Sequence, residues 1–276
     1  MVFEIIPFGR TTSQDLFDKM VRSLLEAHKV SKSSNGLKIF QEFETIVVCD
    51  ESKQIPEDFT KIIVDKDDYG AGTLRNIGLD YVRRKIGKED YFTFLDADDL
   101  VNENYYVIKN KADVIFTKRA AFVRGRIIVI DKKIELLNSS EDVLLFERIC
   151  RLGEQVWGKM YISDLVDERF RDCGIWEDSV YSRRVMKRKP SITVSKNSMY
   201  LWRRDNRNSI TNKFVDEENL ISSKINLFEL AKDNFNNNVF EIRYFLPGLR
   251  LISKLGNIPL HNLVIEMTNR LGIVGI

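Results

Sequence analysis

The chain reads as an α/β protein: a mostly parallel central sheet flanked by helices, followed by a C-terminal helical segment. Three observations predict this. Strand-like and helix-like patterns alternate through the first hundred residues, as βαβ units produce. Two of the strand-like runs end in acidic residues, at Asp50 and at Asp96 to Asp99, and ligands of such sheets collect at the carboxyl ends of strands. From about Val215 the character changes to Asn-rich helical stretches, which places a soft boundary between residues 1–214 and 215–276.

The elements follow in order. VFEIIPF is a short apolar run closed by Pro7 and Gly9, a first strand. SQDLFDKMVRSLLEAHKV sets Leu16, Met20, Leu24 and Leu25 at helical spacing behind a Thr/Ser cap. FETIVVCDES and TKIIVDKDD are β-branched runs ending in acids, GTLRNIGLDYVRRKI is a helix behind glycines, and DYFTFLDADDL is a further strand. DVIFTKRAAFVRGRIIVID predicts two strands around a turn at Gly125, and SEDVLLFERICRL a helix. CGIWEDSVYSRRVMKRK is a loop entering a helix that Pro190 stops, SITVSKNSMYLWRR is extended, and DNRNSIT is a polar loop. LISSKINLFELAKDNF and FEIRYFLPGLRLISKL are the helical stretches beyond the boundary.

A length of 276 residues and 43% hydrophobic content support a proper core. With 43 Lys and Arg against 41 Asp and Glu, net charge gives no reason for wholesale binding to nucleic acid or membrane. Cys49, Cys150 and Cys173 are odd in number and lack the paired spacing of a zinc site, which suits free thiols in a reducing cytoplasm. Neither a signal peptide nor a run of about 18 apolar residues is present. The expected location is cytoplasmic, with peripheral membrane contact left open.

The aspartates of YFTFLDADDL carry the chemistry. Alternate residues of an extended segment face the same side, so Asp96 and Asp98 can converge while Asp99 turns elsewhere. Two carboxylates that close repel unless a cation bridges them, and Mg2+ or Mn2+, which take oxygen ligands and retain waters and phosphates, meet that demand. A competing reading is an acidic turn capping a helix over VNENYYVIKN. An EF-hand loop is disfavoured because Val101 stands at its sixth position, where glycine is needed. A phosphohydrolase with an aspartate nucleophile would share the strand and DxD, but no downstream acidic motif matches it.

The succession IIPF, IVVCDES, GAGTLRNIGLD and YFTFLDADDL resembles the nucleotide-sugar-binding half of glycosyltransferase family 2, which has the GT-A fold; VWGKMY, WEDSVYSRRV and YLWRRDNRNSIT resemble its acceptor-side motifs in the same order. The likeness covers roughly residues 2 to 212 and implies a catalytic unit at 1–214, with a donor half at 1–100 and an acceptor half at 101–214. It implies an inverting transfer from a nucleoside-diphosphate sugar to an acceptor hydroxyl, assisted by Mn2+ or Mg2+.

Residue by residue, the resemblance assigns Asp50 to the base, and a carboxylate accepting an imide hydrogen favours uracil. The family has glycine where Glu51 stands, which puts the shape of that turn in question. Pro7, Arg75, Asn76 and Ala97 fall on donor-side motifs; Arg75 offers a charged fork to phosphate or to the acidic cluster, or else pairs with Asp80 or Glu89 at the surface. Asp96 is assigned to ribose and metal, Asp98 to the metal that bridges the diphosphate. Asp178 is the expected general base, with Glu177 orienting the acceptor; the competing reading is a capping pair at a helix N-terminus. Trp157, Lys159 and Trp176 are candidate acceptor contacts, a core position competing for Trp157. Arg203, Arg207 and Ser209 are candidate diphosphate contacts.

Between Arg183 and Arg207 stand nine basic residues and one acid, Asp205. A polyanionic acceptor, such as a teichoic-type polymer or a modified nucleic acid, is one reading of that excess; a solvated helix face is the other. The segment 215–276 could pack on the catalytic unit, select the acceptor or drive self-association. An inactive nucleotide-sugar-binding scaffold is the rival from another class.

Overall fold

Val2–Phe8 (β1) is buried along its whole length. Its side chains alternate between two layers. Val2, Ile6 and Phe8 join Phe17, Met20 and Leu24 of the helix Gln14–Ser33 (α1). Phe3 and Ile5 join Leu74, Leu79 and Val82 of the helix Ala71–Arg83 (α2). A strand covered on both faces must be apolar throughout, and VFEIIPF is so except at Glu4. The buried Glu4 carboxylate is satisfied by Thr45, which donates to it at 2.5 Å, and by His28 at 2.6 Å. On the other face, a Cβ added at Gly78 would lie 2.4 Å from Cγ2 of Ile5, so α2 approaches β1 as closely as only glycine permits.

The structure, a computed structural model, describes residues 1–9, 12–33, 40–65, 70–123, 126–129, 155–171, 176–203, 217–236 and 242–272. The helix expected over SEDVLLFERICRL, the DNRNSIT loop with Arg207 and Ser209, and Cys150 and Cys173 lie outside the described residues.

Phe43–Cys49 (β2), Thr60–Ile63 (β3) and Tyr91–Phe94 (β4) pair in parallel in the order β3-β2-β1-β4. Winding direction reverses between β1 and β4, where such sheets open a ligand crevice at their carboxyl edge. Pro7 helps to open it. The β1–β2 ladder continues to Phe8 opposite Cys49, but the β1–β4 ladder ends at Ile5 opposite Phe94. The Ile5 carbonyl accepts the Leu95 N–H at 3.1 Å. Residues two apart face the same neighbour, so Pro7, with no N–H to give, ends that ladder and lets the chain after Leu95 turn away.

Leu100–Val101 (β5), Val114–Val123 (β6), Arg126–Val129 (β7), Lys159–Ile162 (β8) and Ile192–Arg203 (β9) continue the sheet as β4-β8-β6-β9-β5, with β7 paired on β6. The strands expected on either side of Gly125 are thus present. This second half is mixed: β6 and β9 are parallel, with a bulge between Thr117 and Lys118, and the other ladders are antiparallel. Only residues 95 to 99 separate β4 from β5, although three strands lie between them. Four strand spacings amount to about 19 Å. Because Asp96 to Asp99 form a turn and not an extended link, the sheet curls to bring its β5 edge back toward β4. The helix that the competing reading placed over VNENYYVIKN does not form; residues 103 to 106 make turns, and Tyr105 and Tyr106 enter the core instead.

Glu177–Lys187 (α3) precedes β9. Glu217–Asn236 (α4), Ile242–Gly256 (α5) and Leu260–Arg270 (α6) form their own apolar cluster, which takes in Val180 of α3. The third of these helices lies beyond the two helical stretches that the sequence predicts. Much of the basic run is used here: Arg184 pairs with Glu229, Arg183 and Lys187 with Asp233, all on α4, and Arg188 donates to the Asp164 carbonyl. No helix among the described residues is long and apolar enough to cross a membrane.

Candidate active site

The turn after β4 is closed by the Asp99 N–H donating to the Asp96 carbonyl at 3.1 Å. Burial alternates along it: Asp96 and Asp98 are half-buried, whereas Ala97 and Asp99 face inward, each at 2% exposure. The expected divergence of Asp99 is therefore present, and its partners explain it. Asp99 accepts from the Tyr200 hydroxyl at 2.8 Å and from the Arg203 N–H at 2.7 Å, while the Asp96 N–H donates to the same hydroxyl at 3.0 Å. Burial, then the charges of Asp98 and Asp96, push the Asp99 carboxyl well above the ordinary range. Ladder pairing of Leu100 with Leu201 fixes the far side of the turn.

Arg75, on the first turns of α2, joins this turn to α3. Its guanidinium is 4% exposed and reaches Asp96 at 2.6 Å and Glu177 at 3.2 Å, with the Phe170 ring 5.3 Å away. The surface pairings considered for Arg75 go elsewhere: Asp80 binds Arg169 and Glu89 binds Lys111. Burial alone would lower the Arg75 pKa, but the charges of Asp96, Glu177 and Asp178 outweigh it and hold the pKa above the usual arginine value.

Glu177 and Asp178 open α3, where peptide dipoles favour negative charge. Burial and then the charge of Asp178 push Glu177 up to about 7, against the pull of Arg75. Burial likewise raises Asp178, and Arg75, the Ser179 N–H and Lys159 partly offset it. Below α3, Tyr181 stacks on Phe170 at 4.1 Å, and Phe94 at the end of β4 meets both rings edge-on. The aromatic contacts seat the helix against the strand that carries the aspartates.

Other candidates take different places. Asp50 ends β2 and accepts from the Ser52 N–H at 2.9 Å and from its hydroxyl, an Asx-type turn. Those bonds hold its pKa below the ordinary value. Glu51 is not among the residues of positive φ, so the turn dispenses with the glycine of the family pattern. Asn76 clamps the backbone of Phe170, donating to its carbonyl at 3.0 Å and accepting its N–H at 2.9 Å. Lys159 is fully buried beneath α3, bonded to Ser182 and 5.0 Å from the Phe116 ring. Trp157 is in the core, stacked on Tyr200 at 4.8 Å and on Trp202 at 6.0 Å. Trp176 packs against the C-terminal helices. Arg203 meets the aspartate turn through its backbone. Tyr200 thus supports the site although motif reading did not assign it, and Asn76, read as a donor-side residue, braces the backbone at Phe170. Cys49 is buried, and burial pushes its thiol up to about 11, which suits an inert side chain.

The Asp96–Asp98 pair fits a hard divalent cation: two half-buried carboxylates two residues apart on a turn, with Asp96 paired to Arg75. Among the described residues no group of three or more His, Cys, Asp or Glu is arranged as a metal cage. The remaining coordination positions would fall to water and ligand oxygens, as is usual for Mg2+ and common where phosphates bind.

The architecture defines a class first: a mixed α/β fold whose curled sheet, parallel in its first half, is flanked by helices. Neither a family model nor a curated protein sequence matches the chain. Among solved structures the chain is similar in fold to S. aureus TarS, with a TM-score of 0.55 and 15% identity over 98% of this chain and 54% of that one. The chain thus spans about half the length of that protein. A weaker likeness, with a TM-score of 0.44 and 12% identity over 100% of this chain and 76% of the other, is to the mannosyltransferase PcManGT from Pyrobaculum calidifontis in complex with GDP-Man and Mn2+.

Proposed function

We propose that the protein is a metal-dependent, inverting glycosyltransferase of the family 2 type, moving a sugar from a nucleoside-diphosphate sugar to an acceptor hydroxyl. The observation that carries this reading is the Arg75 bridge, which joins the half-buried aspartate turn after β4 to the acid pair at the head of α3, at the sheet's carboxyl edge.

In this reading the donor lies across the switch point, with its base toward Asp50, its ribose toward Asp96 and its diphosphate toward Asp98. Mn2+ or Mg2+ held by Asp98, with Asp96, would neutralise charge on the departing diphosphate. Asp178 takes the proton of the acceptor hydroxyl while its oxygen attacks the anomeric carbon from the face opposite the diphosphate. The bond from that carbon to the diphosphate oxygen breaks with its electron pair, and the configuration inverts. Arg75 keeps Glu177 and Asp96 apart in charge yet close in space, and Glu177 orients the acceptor. Arg203, Arg207 and Ser209 are proposed to contact the diphosphate. A uridine nucleotide is favoured by the carboxylate at Asp50. A polyanionic acceptor is less favoured than composition alone suggested, because α4 engages several of the basic residues behind the acid pair.

The test is incubation with a panel of UDP- and GDP-sugars and Mn2+ while nucleoside diphosphate is measured. Release of nucleoside diphosphate that stops on chelation supports the transferase. Free phosphate without nucleoside diphosphate would replace it with a phosphohydrolase, and donor binding with no turnover against any acceptor would leave a scaffold.

A further inference from the structure

We infer that α4–α6 are a positioning device for the acid pair at the head of α3, acting through Trp176; the inference rests on the transferase reading above. Trp176 immediately precedes Glu177 and has a left-handed backbone, φ 71°. For a residue with a side chain that conformation is strained and persists only where surrounding contacts over-determine it. The contacts come from the C-terminal unit. The indole packs on the α4–α6 cluster, and a Cβ added at Gly248 of α5 would sit 3.1 Å from its Cζ2 and 3.0 Å from both δ-carbons of Leu227. The space in front of the indole is thus set by a glycine.

The same unit grips the rest of α3. The Trp176 carbonyl accepts the Val180 N–H at 3.1 Å, and Val180 is buried in the α4–α6 cluster. One turn on, the guanidinium of Arg183, 4% exposed, donates to the Leu230 carbonyl at 3.2 Å and pairs with Asp233. Arg184 binds Glu229 at 3.0 Å, Lys187 binds Asp233 at 2.6 Å, and Arg171, just upstream, also binds Glu229. Glu177 and Asp178 therefore stand between a strained residue braced by α5 and a helix tethered to α4. Trp176 is a positioning residue and not an acceptor contact.

The test uses the full chain with Gly248→Val, which drives a side chain into the indole. Nucleoside diphosphate release from the best donor, with Mn2+ and water as the only acceptor, should lose at least tenfold in kcat with donor KM within twofold. Hydrogen exchange of the amides of residues 178–182 should accelerate while those of β1 and β4 keep their protection. Trp176→Phe combined with Gly248→Ala, a smaller ring facing a larger residue, should recover kcat to within threefold of the wild type. Should Gly248→Val not fold, Trp176→Gly suits the left-handed backbone but removes the indole, and it carries the same expectations for kcat and exchange. Unchanged kcat and exchange overturn the inference. So does a loss confined to reactions with a polymer acceptor and expressed as a raised acceptor KM, since it would make Trp176 an acceptor contact. If the wild-type chain releases no nucleotide from any donor, the transferase reading fails, and the exchange data still decide whether these helices hold α3.

Discussion

Asp96 and Asp98 stand on a turn held by the sheet, through Asp99, Tyr200 and the β5–β9 ladder. Glu177 and Asp178 stand at the head of a helix held by other helices, through Trp176, Arg183 and Arg184. The first pair is partly open, Asp96 keeping 26% exposure, and that suits an ion which must also meet water and phosphate. The second is more withdrawn, Glu177 keeping 15%, and burial raises both carboxyls and pushes Glu177 up to about 7, where a carboxyl can exchange its proton near neutrality. Arg75 touches a member of each pair, Asp96 in the first and Glu177 in the second. In the proposed transferase this contrast would divide the labour, with charge neutralisation on the sheet side and proton transfer on the helix side.

The contrast can be broken most sharply at Asp178. Asp178→Asn should lower kcat by about 10²–10⁴-fold, the usual worth of a general base, while calorimetry shows donor binding intact. Retention of full activity would remove Asp178 from the base role. Asp98→Asn attacks the other side and should cost about 10²–10³-fold in kcat, as losing one charge-stabilising group does; here donor binding should also cease to depend on Mn2+.

Arg75→Met tests the bridge. Removing one partner of a buried ion pair costs about 3–5 kcal/mol, read as a lower denaturation midpoint. It also has a pH signature. Raised carboxyl pKa values keep the proton to higher pH, so wild-type kcat/KM should rise with pH through a limb near 7, the value to which Glu177 is pushed. The two acids titrate as a coupled pair, so the limb reports the pair and neither residue alone. The Arg75 charge favours the deprotonated forms, and its loss should move the limb to higher pH. A limb unmoved in Arg75→Met would mean that the guanidinium does not govern the acid pair. Tyr200→Phe sharpens the sheet side with the smallest effect: an unsatisfied buried carboxylate oxygen on Asp99 should cost about 1–3 kcal/mol, with donor affinity for the metal complex falling and the pH limb unchanged.

Much of this was legible locally. The runs around Ile5, Val47 and Phe94 announced strands because a doubly covered sheet needs apolar residues in unbroken series, and helical spacing around Met20 and Leu24 announced α1. Aspartates at strand ends pointed to the sheet's carboxyl edge, where Arg75 joins Asp96 to Glu177. What stayed hidden depends on partners distant in sequence. Tyr200 looked like any strand residue until it met Asp96 and Asp99, 104 and 101 positions away. Asn76 belonged to a recognisable motif, yet its partner is the backbone of Phe170, 94 positions on. Lys159 read as a candidate acceptor contact because nothing local signals that α3 will cover it. The basic run after Asp178 suggested an anionic ligand because the acids that answer it, Glu229 and Asp233, lie on α4.

The turn that ends β4 has a consequence for the order of events during synthesis. Its four residues emerge from the ribosome about a hundred residues before Tyr200 and Arg203, which close it. Until β9 arrives, three aspartates sit together without the bonds that turn Asp99 inward, and contacts of such long sequence separation form late and slowly. A nascent or truncated chain would thus carry the motif without the site, so the capacity to hold a metal and donor would appear only once the distal strand is in place.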